Sequence, residues 1–268
     1  MKIILLNGPP RAGKDTISDI IAHEYGCGSA QLKFAQALKE GVHALLGLRD
    51  EFDFPLAHDA FEDRKDEPLD EFFGLTPRAF YIEASENLMK PVAGNTAFGR
   101  ILARRIEALE EAQPEVVLVS DSGFRAEAEE LVNRFGADAI TLVRVRREGH
   151  DFTGDSRSYI NLSDLGVETL DVWNDGDVED LYPALHEVGL ISEPRYEVRV
   201  TLPVRDAEDE IIAWDDAMVR TDISLEYALI VAEDVAKNVY HDRNVSVVRI
   251  SGNLPHPKVQ TFRIPAGA

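Results

Sequence analysis

Short apolar runs alternate with stretches of helical period through roughly the first 190 residues of this chain. Ile3–Leu6 is long enough for one buried strand. Ile17, Ile20 and Ile21 then recur at helical spacing, which predicts a helix from Lys14 to Tyr25 ending at Gly26 and Gly28. A short strand from Ala30 runs into a helix with Leu38, Val42, Leu45 and Leu46 on one face. Thr76-Pro77-Arg78 opens another helix, with Thr as cap and Pro in the first turn. Phe98–Ala112 carries the stripe Ile101, Leu102, Ile106 and Leu109. Val116–Val119 is a continuous apolar run ending in Ser120-Asp121, as a strand buried on both faces reads. A helix over Glu127–Phe135, strands over Ala139–Val145 and Leu170–Trp173, and a helix over Val178–Val188 complete the series. Strand and helix in alternation argue a parallel sheet with helices on both faces.

The pattern changes at Pro194. Tyr196–Leu202 alternates strictly, Glu210–Trp214 follows an acidic turn at 206–209, and a helix spans Leu225–Val239. Further strands are expected at Val245–Ile250 and Val259–Ile264. This divides the chain into a larger α/β domain over 1–193 and a small C-terminal α+β appendage over 194–268. Between them in character lies the charged stretch Asp50–Asp70, broken by Pro55 and Pro68, which reads as an irregular, mobile surface segment.

Composition narrows the function. Hydrophobic residues make up 44% of the chain, so a packed core is expected. There are 28 basic and 49 acidic residues, a net charge of −21, which disfavours a polyanionic nucleic-acid partner. No run is long enough to span a membrane, and Cys27 is the one cysteine, which suits a reducing cytoplasm. The histidines, His241 and His256 included, have no metal-ligand spacing and read as surface residues.

Chemistry enters directly after the first strand. Gly8-Pro9-Pro10-Arg11-Ala12-Gly13-Lys14 fits G-x-x-x-x-G-K between a strand and a helix, the context a P-loop requires. Gly8 and Gly13 let the backbone curl close to a ligand. Successive N–H groups then form an anion nest, and the helix start adds its dipole. Lys14 would neutralise the outer phosphates of a nucleoside triphosphate. Asp15 stands where Ser or Thr usually meets Mg²⁺. Either this carboxylate binds the metal, directly or through water, or Thr16 contacts phosphate and Asp15 does something else. Asp121 falls at a strand's carboxyl end, where open α/β sheets place ligands. Arg144, Arg147 and Arg157 belong to a Gly-punctuated loop read as a lid over phosphates.

Taken together, Gly8–Thr16, Phe34-Ala35-Gln36-Ala37-Leu38-Lys39, Asp63-Arg64, Thr76-Pro77-Arg78, Ser120-Asp121, the loop at 144–157 and Asn174-Asp175-Gly176 resemble bacteriophage-type deoxynucleoside monophosphate kinases. The resemblance covers about residues 1–190 and implies a P-loop kinase-like fold. It implies that Gly8, Arg11, Ala12, Gly13, Lys14, Asp15 and Thr16 bind ATP, with Asn174 and Gly176 flanking the donor base. Leu38, Lys39, Arg64, Arg78, Asp121, Arg125 and Arg157 would hold the acceptor monophosphate. Lys14, Arg78, Asp121, Arg144 and Arg147 would serve catalysis, with Mg²⁺ on Asp15 and Thr16. The family often has Asp-x-Arg where this chain has Asp121-Ser122-Gly123, and Arg125 is the candidate replacement.

The expected function is transfer of the γ-phosphate of ATP to a (deoxy)nucleoside monophosphate. The expected setting is cytoplasmic, the host's if the chain is of phage origin, and dimerisation is one role for the appendage. Two rivals stand beside it. One is another small-molecule P-loop kinase, acting on a coenzyme precursor or a phosphorylated alcohol. The other is an inactive nucleotide-binding or interaction protein.

Overall fold

Each apolar run before residue 190 lies in a strand of one parallel sheet. The computed structural model describes the chain outside residues 110–111, 193–194, 206–210, 224, 239–243, 251–257 and 264–268. Strands β1 (Lys2–Asn7), β2 (Ser29–Leu32), β3 (Val116–Ser122), β4 (Ile140–Arg146) and β5 (Glu168–Trp173) lie in the order β2-β3-β1-β4-β5. In register, Ile3 faces Val117 and Ile140, Leu5 faces Val119 and Leu142, and Asn7 faces Ser122 and Arg144. Strand alternation sends Ile3, Leu5, Val117, Val119, Ile140 and Leu142 to one face. There they meet Phe98, Leu102 and Ile106 of α5 (Ala97–Glu107) and Leu131 of α6 (Arg125–Phe135). Ile4, Leu6, Leu118 and Val143, on the opposite face, are buried as completely. Burial on both faces is why these strands read as continuous apolar runs.

The connecting helices follow local rules. Helix α1 (Lys14–Tyr25) buries Ile17, Ile20 and Ile21. Helix α3 (Pro77–Glu83) starts at Thr76, whose hydroxyl accepts the Ala79 N–H at 3.1 Å, with Pro77 in the first turn where its missing donor costs nothing. A π-helical turn over Ala84–Met89 joins it to the short helix α4 (Lys90–Ala93). Helix α5 ends at Glu107, short of the expected Ala112. Gln113, before Pro114, takes φ 45°.

Two readings are corrected on α2 (Gln36–Leu45). Leu45 is exposed, and its expected place is taken by His43, which is buried. The His43 ring bridges the Leu56 carbonyl at 2.8 Å and the Tyr81 hydroxyl at 2.7 Å. Residues 50–70 are irregular, as expected, but they close on an apolar cluster of their own. Val42, Leu69, Phe72 and Tyr81 form it, and Phe61 meets Phe72 edge-on with ring centres 5.0 Å apart. That packing fixes the segment carrying Glu62, Arg64 and Asp66 against α2 and α3.

The chain forms two compact units. One comprises Met1–Ala22 with Cys27–Asp175, the other His23–Gly26 with Gly176–Ala268. The second unit includes α7 (Val178–Glu187). Asp177 caps α7, its carboxylate accepting the Glu179 N–H at 2.9 Å while Asp180 accepts the Asp177 N–H at 2.9 Å. Also in this unit, β6 (Arg195–Arg205), β7 (Ile211–Ile223), β8 (Asn244–Ile250) and β9 (Lys258–Arg263) form an antiparallel sheet in the order β7-β6-β8-β9. Helix α8 (Leu225–Asn238) sets Ala228 and Ala232 against Val198, Val200, Val245 and Val247. Strand β7 runs well past Trp214, because backbone pairing with β6 continues through the charged positions Asp215 and Asp216. The acidic turn at 206–209, Val239, His241 and His256 lie outside the described residues. Among the described residues, no helix is long and apolar enough to cross a membrane.

Candidate active site

The carboxyl ends of β1 and β3 meet at the loop from Gly8 to Gly13, where the strand order reverses. Close packing dictates both glycines. A Cβ on Gly8 would sit 2.6 Å from the Val145 carbonyl oxygen, and one on Gly13, at φ 91°, would collide with the Asn174 amide. Arg11 takes the left-handed region at φ 63°. Asn174 braces the loop from behind. Its Nδ2 donates to the Ala12 carbonyl at 2.8 Å, while its own N–H donates to the Arg146 carbonyl at 2.8 Å. Asn7, fully buried, stitches β1 to Ser122 and to residues 158–160 with three hydrogen bonds of 2.9–3.0 Å.

Lys14 turns back over the loop and donates to the carbonyls of Gly8 at 2.9 Å and Pro9 at 2.7 Å. Burial, and then the positive charge of Arg157, push its ammonium down to about 8 against the pull of Asp15, Asp121 and Asp155. A phosphate in the cradle would compete with those carbonyls for the same donor and favour the charged form.

Asp15 is engaged from two sides. Its Oδ1 accepts from the Ser120 hydroxyl at 2.6 Å and lies 2.9 Å from the Lys33 ammonium. Burial acts to raise this carboxyl, but the Ser120 and Lys33 contacts outweigh it and hold it below the ordinary range. Asp121 is spent differently. Its two oxygens accept the backbone N–H groups of Phe34, at 2.8 Å, and Ala35, at 3.0 Å, so it fixes the junction between β2 and α2.

Three guanidiniums from distant segments act on or near this loop. Arg157 makes a forked pair with Asp155, at 2.9 and 2.6 Å, and is a close positive neighbour of both Lys14 and Arg78. Its side-chain carbons cross the face of Gly123, where any Cβ would collide with them. Arg78 forks onto Asp66 at 2.6 and 3.3 Å, and Asp66 also feels the charge of Arg11. Arg147 reaches the Arg11 carbonyl at 3.4 Å, and the Glu148 N–H is held by Asp175 at 2.6 Å.

Other expected residues are not brought to this point. Arg125 pairs with Glu129 and Asp164, both at 2.6 Å, and not with the site, so the segment over Gly123 comes from Arg157 instead. Arg144 lies within β4, not in the loop after it, and shares Asp171 with Arg146, each at 2.6 Å. The alternation of β4 puts 144 and 146 on one face, which explains the shared partner. Arg64 pairs locally with Glu67 at 3.5 Å. Lys39 lies 3.3 Å from Glu62 and over the Tyr81 ring, and Leu38 packs against both apolar clusters. Gly176 opens the second unit, where a Cβ would collide with the Asp180 carboxylate of the helix cap.

Four contributors carry no sequence signal: Lys33, Asp66, Asp155 and Glu127. Glu127 is buried in the first turn of α6, and burial, then the charge of Asp121, raise its carboxyl to about 8. As for a metal, no group of three or more His, Cys, Asp or Glu side chains converges among the described residues. Nucleotide-bound Mg²⁺ takes most of its ligands from phosphate and water, so it needs one or two hard protein oxygens. The Asp15 carboxylate, with the Ser120 hydroxyl on it and Thr16 alongside, fits that need.

No family model and no curated protein matches the chain. Among solved structures, an unliganded sugar kinase from Janibacter sp. HTCC2649 aligns at a TM-score of 0.37 and 15% identity, over 71% of this chain and 95% of that one. A gluconokinase from Sinorhizobium meliloti 1021 aligns at a TM-score of 0.33 and 15% identity, over 67% of this chain and 86% of that one. Neither is described as a nucleoside monophosphate kinase, and scores of this size give no residue here a role.

Proposed function

We propose that the chain is an ATP-dependent small-molecule phosphotransferase, and that its acceptor is a phosphorylated compound, a (deoxy)nucleoside monophosphate. One observation carries the reading. In a chain of net charge −21, Arg157 lies within electrostatic reach of both Lys14, beside the glycine-built anion cradle, and Arg78. Gathering like charges is unfavourable unless an anion is to be shared among them. Loop amides and Lys14 hold the donor phosphates. Arg78 and Arg157 hold the acceptor phosphate in line and spread the charge of the transferring group. Mg²⁺, when bound with the nucleotide at Asp15, supplies further neutralisation of the β- and γ-oxygens. The loop carrying Arg147 and Arg157 covers the cradle and keeps water from competing.

An alcohol acceptor is the second reading. A phosphate acceptor needs no base, whereas a hydroxyl must give up its proton in the transfer. The test is a panel of nucleoside monophosphates, phosphorylated alcohols and sugar acids with radiolabelled ATP. Transfer to monophosphates supports the first reading. Transfer confined to hydroxyls replaces it with the second. Binding of ATP with no transfer to any acceptor leaves a nucleotide-binding module and overturns both.

A further inference from the structure

Lys33 follows β2 directly, on the carboxyl edge of the sheet. Its backbone is anchored on both sides of the next turn: the Phe34 and Ala35 N–H groups are held by Asp121, and the Gln36 N–H donates to the Lys33 carbonyl at 3.2 Å. The side chain therefore starts from a fixed point and ends 2.9 Å from Asp15 Oδ1. That oxygen belongs to the residue following the P-loop lysine, the one whose side chain stands nearest to nucleotide-bound metal. A proton-bearing cation already occupies the hard oxygen that a divalent cation would need. The Ser120 hydroxyl on the same oxygen holds the carboxylate in place for either partner.

Resting on the reading of this loop as a nucleotide site, we propose that Lys33 is the resident counter-cation of Asp15 and yields that place when a metal–nucleotide complex binds. An ammonium and a divalent cation repel strongly at contact separations, so the two compete for Oδ1. Lys33 also lies within the field of Asp121 and Glu62. The device explains why a carboxylate is tolerated beside bound polyphosphate: Asp15 has a cation on it whether or not nucleotide is present.

The test is Mn²⁺ binding to the full chain with a non-hydrolysable ATP analogue, read by electron paramagnetic resonance. Lys33→Met and Lys33→Gln remove the competitor, so the Mn²⁺ affinity of the analogue complex rises about three- to fivefold, the range expected for loss of a partly exposed ion pair. Lys33→Arg keeps the wild-type affinity, and adding Asp15→Asn to Lys33→Met abolishes the gain. Unchanged or weaker Mn²⁺ binding in both neutral variants overturns the proposal. A wild-type protein that binds no analogue at all overturns the nucleotide reading itself, a separate outcome.

Discussion

The loops after β1 and after β4 make an instructive pair. Both follow a parallel strand, both are punctuated by glycine and both present cations to the same place. The first is built from backbone. Gly8 sits against Val145, Gly13 against Asn174, and the Asn174 amide takes up the Ala12 carbonyl. The second is built from ion pairs, Arg157 on Asp155 and the Glu148 N–H on Asp175. A backbone site is fixed by local conformation and close approach. A side-chain site depends on which carboxylates the fold delivers. The first kind forms a cradle of constant shape, while the second can exchange its carboxylate partners for a ligand's phosphates.

Substitutions separate the two kinds of loop. The largest effect is expected from Lys14→Met, which removes the ammonium that turns back over the backbone cradle. Turnover should fall by about 10²–10³-fold, the range for losing a preorganised donor to a developing anion, while circular dichroism stays unchanged. A rate within a factor of a few of wild type would remove Lys14 from the chemistry.

Next comes Gly123→Ala. Its new methyl group would collide with the Arg157 stem, and overpacking of that kind costs about 1–3 kcal/mol. We expect the acceptor KM to rise with little change in the KM for ATP. If both constants move together, Arg157 does not belong to the acceptor side.

Asn174→Ala tests the brace. It leaves the Ala12 carbonyl without its buried partner, a loss of about 1–3 kcal/mol, read as a lower thermal midpoint and a weaker ATP affinity.

The pH profile is a smaller effect with a definite sign. The Lys14 ammonium is pushed down to about 8, so the free protein loses this proton as pH rises through that value. Phosphate binding favours the charged form, so kcat/KM for ATP should fall with pH above about 8 and be level just below it. A profile flat to pH 10 would contradict it. Smallest of all, Arg125→Ala should leave turnover within about twofold, because Arg125 is committed to Glu129 and Asp164 on the surface.

Much of this was legible in the order of residues. The parallel strands appear as apolar runs because both faces are buried, and the start of α3 appears as Thr76-Pro77 because a cap and a missing donor suit a first turn. The glycine loop is equally local. What could not be read is the set of partners. Nothing in the spacing marks Lys33 as the cation on Asp15, Asp155 as the seat of Arg157, or Asp121 as the brace of residues 34 and 35. Arg125 and Arg157 look alike along the chain; one turns outward to Asp164, the other crosses Gly123.

The sequence alone therefore determined the period of each element, the backbone cradle and the abundance of charge. Periodicity, glycine freedom and capping act over a few residues, so a short stretch carries them whole. Only the tertiary structure decided which charges meet. Pairs such as Asp15 with Lys33, or Arg78 with Asp66, depend on strand order and loop packing across tens of residues, and the Coulomb energy that joins them depends on distance in space.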